Sequence, residues 1–237
     1  MKTNHLLIIL VLLGALLFAG CRSRVRVGDL QTKSQTVELG DADSVDVEIQ
    51  TGAGELDVSG GASELLEASF TYNVEELNPQ ATYADGRLVV KDSGVSIGIT
   101  SLADLAKYRS KWDLKLKEDV PMAMNIELGL GPSNLALGTL DLTRLDIEGG
   151  AGEVTIDLTG DWQHDLDARI DGGLGEVRLT LPRGVGVRIE VDTGIGSVDA
   201  SGLTRDGNTY TNDAFGVSDV TLRIHINGGV GKINIDF

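Results

Sequence analysis

The stretch Ile147-Glu148-Gly149-Gly150-Ala151-Gly152-Glu153-Val154 decides how this 237-residue chain is read. Apolar residues flank Gly150-x-Gly152 at every second position: Leu145 and Ile147 before it, Val154, Ile156 and Leu158 after it. Period two is the signature of half-buried strands. A glycine pair between two such strands lets the backbone take a sharp corner that side chains would resist. The same arrangement surrounds Gly52-x-Gly54, Gly129-x-Gly131, Gly173-x-Gly175, Gly194-x-Gly196 and Gly229-x-Gly231. Three residues before the first glycine stand Ile49, Ile126, Ile147, Ile170, Val191 and Ile226, all β-branched; four residues after it stand Leu56, Val154, Val177, Val198 and Ile233. In the second copy Pro132-Ser133-Asn134 is read as delaying that apolar residue to Leu135. The residue between the glycines (Ala53, Leu130, Ala151, Leu174, Ile195, Val230) is expected to point inward.

Gly129, Gly150, Gly173 and Gly194 are 21, 23 and 21 residues apart. A fixed period near twenty marks a stacked repeat, in which each unit relies on its neighbours to bury its apolar face. The expected fold is therefore all-β: a β-solenoid-like stack of rungs about 4.8 Å apart, with one short helix. An ordinary β-sandwich with glycine-rich turns is the alternative, but the corner keeps its register in all six copies, which favours the stack. Abundant glycine (31 residues) and few aromatics (4%) suit thin stacked sheets better than a bulky core.

Residues 1–20 read as a leader rather than as part of the fold. Lys2 precedes an apolar run from Leu6 to Ala19, shorter than the roughly 20 residues of a comfortable bilayer span and built like a secretory signal. Leu17-Phe18-Ala19-Gly20-Cys21 resembles the bacterial lipobox, with Phe18 where leucine is usual. The resemblance implies cleavage before Cys21 and lipidation of that cysteine, which holds the chain at a membrane outside the cytoplasm. Cys21 is the only cysteine, so no disulfide can form within the chain. Arg22, Arg24 and Arg26 follow, placed to contact anionic headgroups, and residues 21–35 read as a tether. Removing residues 1–20 takes away Lys2 alone and moves the formal charge from −16 to −17. Such an acidic body argues against nucleic acid and against broad contact with an anionic membrane, and it allows basic or divalent-cation partners.

Two regions follow, 36–120 and 121–237. In the first, Val37 to Val58 supply a strand, a corner and a return strand, Leu65 to Val74 alternates as a strand, and Asp85-Gly86 signals a hairpin. Ser101 to Lys111 reads as the short helix, capped by Ser101, before a strand through Trp112, Leu114 and Leu116. Asp46-Val47-Glu48-Ile49 with Gly52-Ala53-Gly54-Glu55-Leu56, then Trp112-Asp113-Leu114 and Val120-Pro121, resemble the bacterial toast-rack N-terminal domain. The copies at Gly149-Gly150-Ala151-Gly152-Glu153-Val154, Gly172-Gly173-Leu174-Gly175-Glu176-Val177 and Gly228-Gly229-Val230-Gly231 are similar to its repeat half, in the style of the C-terminal domains of cell-wall-active antibiotic response proteins and of adhesin domains. The resemblance implies a stacked β fold at the cell envelope and supplies no catalytic residue.

Several motifs echo known chemistry without its context. The Gly-x-Gly pairs are followed by strands, not by the helix whose N-terminus would face a phosphate. Gly94-Val95-Ser96-Ile97-Gly98 matches a hydrolase elbow but lacks the surrounding strand–helix alternation. The calcium-binding β-roll repeat needs an aspartate where this chain has Val154, Val177 and Ile233. One column merits a hypothesis: two residues before each first glycine stand Gln50, Glu127, Glu148, Asp171, Asp192 and Asn227, facing outward by alternation. If rungs stack in sequence order, Glu127, Glu148, Asp171 and Asp192 form a carboxylate ladder about 5 Å apart, a candidate site for divalent cations or a basic partner; a solvated acidic face is the plainer reading. Tyr210 and Phe215, in the excursion 205–216, are either a recognition surface or the cap of an open stack end. The reading that follows is a lipid-anchored, non-catalytic envelope protein acting in binding, scaffolding or stress sensing. An adhesin or glycan-binding module is the alternative, and a polysaccharide-active enzyme a more distant one. The membrane, an envelope protein or a surface glycan are the partners it implies.

Overall fold

A computed structural model describes residues 27–93 and 107–237. Among the described residues there are seventeen strands and a single 3-10 turn at Glu75–Leu77. Four of the six glycine copies place one strand before the corner and one after it: β2 (Val45–Gln50) and β3 (Glu55–Ser59), β8 (Met122–Glu127) and β9 (Ser133–Ala136), β10 (Leu142–Glu148) and β11 (Ala151–Asp157), and β12 (Leu166–Asp171) and β13 (Leu174–Thr180); in a fifth, a single strand, β17 (Thr221–Asp236), runs through its corner. The remaining copy, β14 (Gly186–Ala200), is likewise continuous. The other strands are β1 (Gln31–Val37), β4 (Leu66–Tyr72), β5 (Gln80–Ala84), β6 (Arg87–Lys91), β7 (Ser110–Leu116), β15 (Thr204–Asp206) and β16 (Thr209–Thr211).

The rungs form two layers joined along the glycine corner. In the first layer the parallel order is β6, β2, β8, β10, β12, β17, β14, with β5 added antiparallel at one end and β16 then β15 at the other. In the second the parallel order is β7, β3, β9, β11, β13, β17, β14, with β4 then β1 antiparallel beyond β7. At about 4.8 Å per strand the stack stands roughly 40 Å tall. The sixth copy, β17, lies between the fourth (β12 and β13) and the fifth (β14), so the rungs are not in sequence order.

The expected stack of corners is what the chain builds, with every copy in register. The second copy departs from the reading made for it: Ser133 is buried and stands beside Leu56 and Val154, so the register is kept and a serine fills the slot. Leu135 then sits opposite Val58 and Ile156 as the next inward residue. The hairpin at Asp85-Gly86 forms between β5 and β6, with both residues at positive φ (52° and 75°), the two-residue turn whose twist matches its strands. Of the segment expected to be helical, residues 101–106 lie outside the described residues, and Ser110 and Lys111 belong to β7. Gln31 to Gln35, assigned to the tether from sequence, form part of β1 and pair with β4.

The space between the layers is filled by the inward residues of every rung. Ile49, Ile126, Ile147, Ile170 and Ile226 from one layer and Leu135, Ile156, Leu179 and Ile235 from the other are almost completely buried, each worth about 1.5–3 kcal/mol of apolar transfer. Phe70 of β4 and Trp112 of β7 meet edge to face at 5.6 Å and close the core at the β1 end. There Gln35 acts as a false peptide group: its side-chain amide donates to Ala81 O at 2.6 Å, and its oxygen accepts from Ala81 N at 3.1 Å. That pair ties the edge strand of one layer, β1, to the edge strand of the other, β5.

Candidate functional site

The corner itself presents the first feature. Successive rungs approach so closely there that only glycine fits: a Cβ on Gly129, Gly150, Gly173 or Gly229 would stand 2.5, 2.6, 2.7 or 2.9 Å from the carbonyl carbon of the glycine one rung away. The second glycine of five corners is held at φ between +131° and +154° (Gly54, Gly131, Gly152, Gly175, Gly231), a region glycine alone adopts freely. The intervening side chain points outward, at Ile195 too although Gly196 is not at positive φ, which corrects the inward placement expected from alternation. Leu130, Leu174, Val230 and Ile195 are 49%, 58%, 47% and 75% exposed. The register aligns them as Ala53, Leu130, Ala151, Leu174, Val230, Ile195, one per rung, an apolar ridge along the vertex where the converging layers leave no interior room.

The outer face of the first layer carries the carboxylate column. Its order along the stack is Gln50, Glu127, Glu148, Asp171, Asn227, Asp192. The four carboxylates thus do not form the continuous ladder expected: Asn227 separates Asp171 from Asp192 because β17 is inserted there. Nor does Asp171 suffer the proton-favouring repulsion that an unrelieved ladder would impose. Arg169 donates to it at 2.9 and 3.3 Å and, as the main cause, holds its carboxyl below the usual range; Asn227 also donates to it. Asp192 accepts from Asn208 at 3.1 Å and lies 3.7 Å from His225 Nε2. Glu127, Glu148 and Asp171 remain consecutive in the column, with Asn125, Asp146 and Arg144 on neighbouring outward positions of β8 and β10. Among the described residues no three His, Cys, Asp or Glu side chains converge as metal ligands.

Sequence reasoning passed over the arginines on this face. Arg144, Arg169, Arg188 and Arg223, with His225, line a shallow hollow of about 270 Å³. Each arginine has its own carboxylate within 2.5–3.0 Å: Asp146, Asp171, Glu190 and Asp165. The face is therefore a checkerboard of paired charges. Alternation places these residues outward, but which rung lies beside which, and so which charges meet, depends on the stacking order. His164 forms a separate contact, between connections rather than strands. It lies 3.0 Å from the Asp165 carbonyl and 2.5 Å from Asp141, contacts that raise its pKa in that order of importance.

At the end of the stack remote from β1, the excursion after β14 folds back as the β15–β16 hairpin, and β16 pairs with Arg188 to Glu190 of β14. The two aromatics singled out there part company. Tyr210 is only 6% exposed and packs into the core, with Arg205 over its ring at 5.4 Å; it is a lid on the last rung and has no surface with which to meet a ligand. Phe215 and Val217 remain 39% and 83% exposed. Cys21, Arg22, Arg24 and Arg26 lie outside the described residues, as do Gly94, Ser96 and Gly98.

Comparison with known proteins agrees with this geometry. Residues 26–180 match the family described as the N-terminal domain of toast_rack, and residues 130–235 match the C-terminal domain described as cell wall-active antibiotics response LiaF. No curated protein matches the chain. A solved candidate cell-adhesion protein from Clostridium sporogenes is 30% identical, with a TM-score of 0.81 over 88% of this chain and 99% of its own. A candidate adhesin from Parabacteroides distasonis aligns at 13% identity over 88% of this chain and 97% of its own, with a TM-score of 0.30. A candidate lipid-binding protein from the same organism aligns at 10% identity over 86% and 97%, with a TM-score of 0.28. Superpositions as poor as these last two carry no fold or functional argument.

Proposed function

The chain belongs to the toast-rack family, and from that premise we propose that it is a lipid-anchored, non-catalytic envelope protein. In this reading a rigid stack carries a binding end away from the membrane. One observation carries the proposal: β1, the first described strand, lies at one end of the stack, and β14 with its hairpin lies at the other. Six residues separate Cys21 from Val27, a reach of about 20 Å at most. An anchor at Cys21 would therefore hold the β1 end near the bilayer, with Arg22, Arg24 and Arg26 against anionic headgroups at about 1 kcal/mol each. The opposite end, where Ile195, Phe215 and Val217 are exposed, would then face outward some 40 Å farther on. The match of residues 130–235 to the antibiotic-response domain supports a part in envelope-stress sensing. The likeness to the clostridial candidate cell-adhesion protein supports the second reading, an adhesin or glycan-binding module.

Photo-crosslinking in intact cells tests the proposal, with the probe at Ile195 or Val217 for the far end and at Thr155 for the flank. A discrete protein captured from the far end, and not from Thr155, is the expected outcome; recovery of polysaccharide alone favours the adhesin. Capture from the flank only would overturn the end-on arrangement. Metabolic labelling with an alkyne fatty acid should mark the chain and fail in Cys21→Ala; labelling that survives that substitution would remove the anchor.

A further inference from the structure

The hairpin caps only half of the last rung. β16 covers Arg188 to Glu190, but no strand among the described residues pairs with the far side of β14 from Ile195 to Ala200. The ladder shows which groups this leaves open. At each corner the residue between the glycines bonds towards the β1 end, as in Ala151 N to Gly129 O at 2.8 Å, and the glycine after it bonds towards the far end, as in Gly54 N to Leu130 O at 2.8 Å and Gly131 N to Ala151 O at 3.0 Å. The alternation continues along the strand: Leu56 N reaches Pro132 O at 3.2 Å, and Ser201 N reaches back to Ile235 O at 3.1 Å. On β14 the same rule directs both the N–H and the C=O of Gly196, Val198 and Ala200 to the open side.

The side chains beside this edge specify what would fit. Val198 and Ala200 face the core but are only partly covered, with Leu203 and Phe237 beside them, so the core is open above them. On the outer face Asp199 is exposed, above Asn234 rather than a cation. Ile195, the most exposed member of the corner ridge, stands at the same rung above Val230 and Leu174. An added strand would therefore gain from apolar residues on its inner face and a basic residue opposite Asp199, since like charges directly opposite are unfavourable. A second copy offers no such cation from this edge, because its own β14 carries Ser197 and Asp199 on the outer face, with Ser201 following.

We propose that the Ile195–Ala200 edge of β14 is a strand-addition site for an extended segment of a partner protein, with alternating aliphatic and basic side chains. The site deepens the end-on binding reading and rests on it for its biological setting. It uses main-chain hydrogen bonds for affinity and Asp199 for charge selection.

The probe is an N-acetylated, amidated Val-Lys-Val-Lys-Val-Lys-Val peptide, added to the purified full chain, with the glutamate counterpart of the same peptide as control. Fluorescence anisotropy should show saturable binding of the lysine peptide, at least tenfold tighter than the control. Amide exchange in the 195–200 segment should slow on binding while the Arg188–Glu190 amides stay unchanged. Val198→Pro removes an outward N–H at an edge where proline is tolerated and should abolish both effects. Asp199→Lys should weaken lysine-peptide binding about twofold to fivefold. Binding that survives Val198→Pro, or that leaves the 195–200 amides in fast exchange, would overturn the proposal in favour of general attraction to an acidic protein. Protection that rises with protein concentration in the absence of peptide, with a dimer in sedimentation, would overturn it in favour of self-association. If the peptide fails while crosslinking from the far end still yields a partner, the edge is wrong and the end-on reading stands.

Discussion

Gly173→Ala is the sharpest test of the corner. The new Cβ would overlap the Gly150 carbonyl oxygen and stand 2.7 Å from its carbon, where real contacts begin above 3.0 Å. Gly150 is backbone in the middle of the stack and cannot swing aside as a side chain can. Relief requires the fourth rung to lift from the third, against the 2.8 Å bond from Leu174 N to Gly150 O and its neighbours. Two buried backbone bonds weakened or lost, at about 1–3 kcal/mol each, give a cost of about 3–5 kcal/mol. For a domain of this size that is a fall of about 10 °C in Tm. Gly184→Ala is the matched control, because a Cβ there meets nothing within 4 Å and φ is not in the left-handed region; it should be neutral or slightly stabilising. Gly194→Ala should fall between the two, since on the last rung its Cβ would be 3.3 Å from the Gly229 carbonyl carbon and the rung above is missing. Urea unfolding followed by far-UV circular dichroism gives all three values. A Gly173→Ala protein within 1 kcal/mol of Gly184→Ala would refute the reasoning that backbone contact between rungs, and not turn preference alone, fixes these glycines.

Three further outcomes follow. The His164 pKa is raised by the Asp165 carbonyl and then Asp141, so its contribution is fully present below the unfolded-state value near 6.5 and is lost as pH rises through the higher folded value; the Tm gap between wild type and His164→Gln should be widest below pH 6 and shrink above it, and a gap that widens with pH would contradict this. Asp171 is held low chiefly by Arg169, so its contribution is present above the unfolded carboxylate range and is lost as pH falls through the lower folded value; in Arg169→Gln, NMR titration should show the Asp171 carboxyl moving up, and no movement would mean that Arg169 is not the cause. Gln35→Ala removes both bonds to Ala81 and should cost about 1–2 kcal/mol, with faster exchange of the Ala81 amide, whereas exchange changing first at the β14 end would show that the clamp does not close the β1 end.

Much of this architecture is legible along the chain because it rests on local physics. Alternation over five to seven residues states which side chains go inward, and Asp85-Gly86 encodes its turn in two backbone angles. The Gly-x-Gly pair encodes a corner wherever it stands, which is why all six copies were readable and in register. The direction of the residue between the glycines was not readable, because the inward parity shifts across the corner: Ile147 and Val154 both face the core although they stand an odd number of positions apart. The serine at 133 shows the same limit from the other side: it looked like an interruption, but the register of Leu56 and Val154 on either side holds it in an apolar slot.

The sequence by itself determined the rungs, and the tertiary structure decided their order. Each rung offers its neighbours the same glycine carbonyls and the same β-branched inward residues, so nothing local prefers one partner rung over another. The excursion after Ala200 gives the chain enough length to cap β14 and return beneath it, placing β17 between β12 and β14. From that one insertion follow the interruption of the carboxylate column by Asn227, the pairing of its charges, and the identity of the last rung. The open edge at Gly196, Val198 and Ala200 belongs to the same decision, because a strand is an edge only by virtue of what the rest of the fold leaves unpaired beside it.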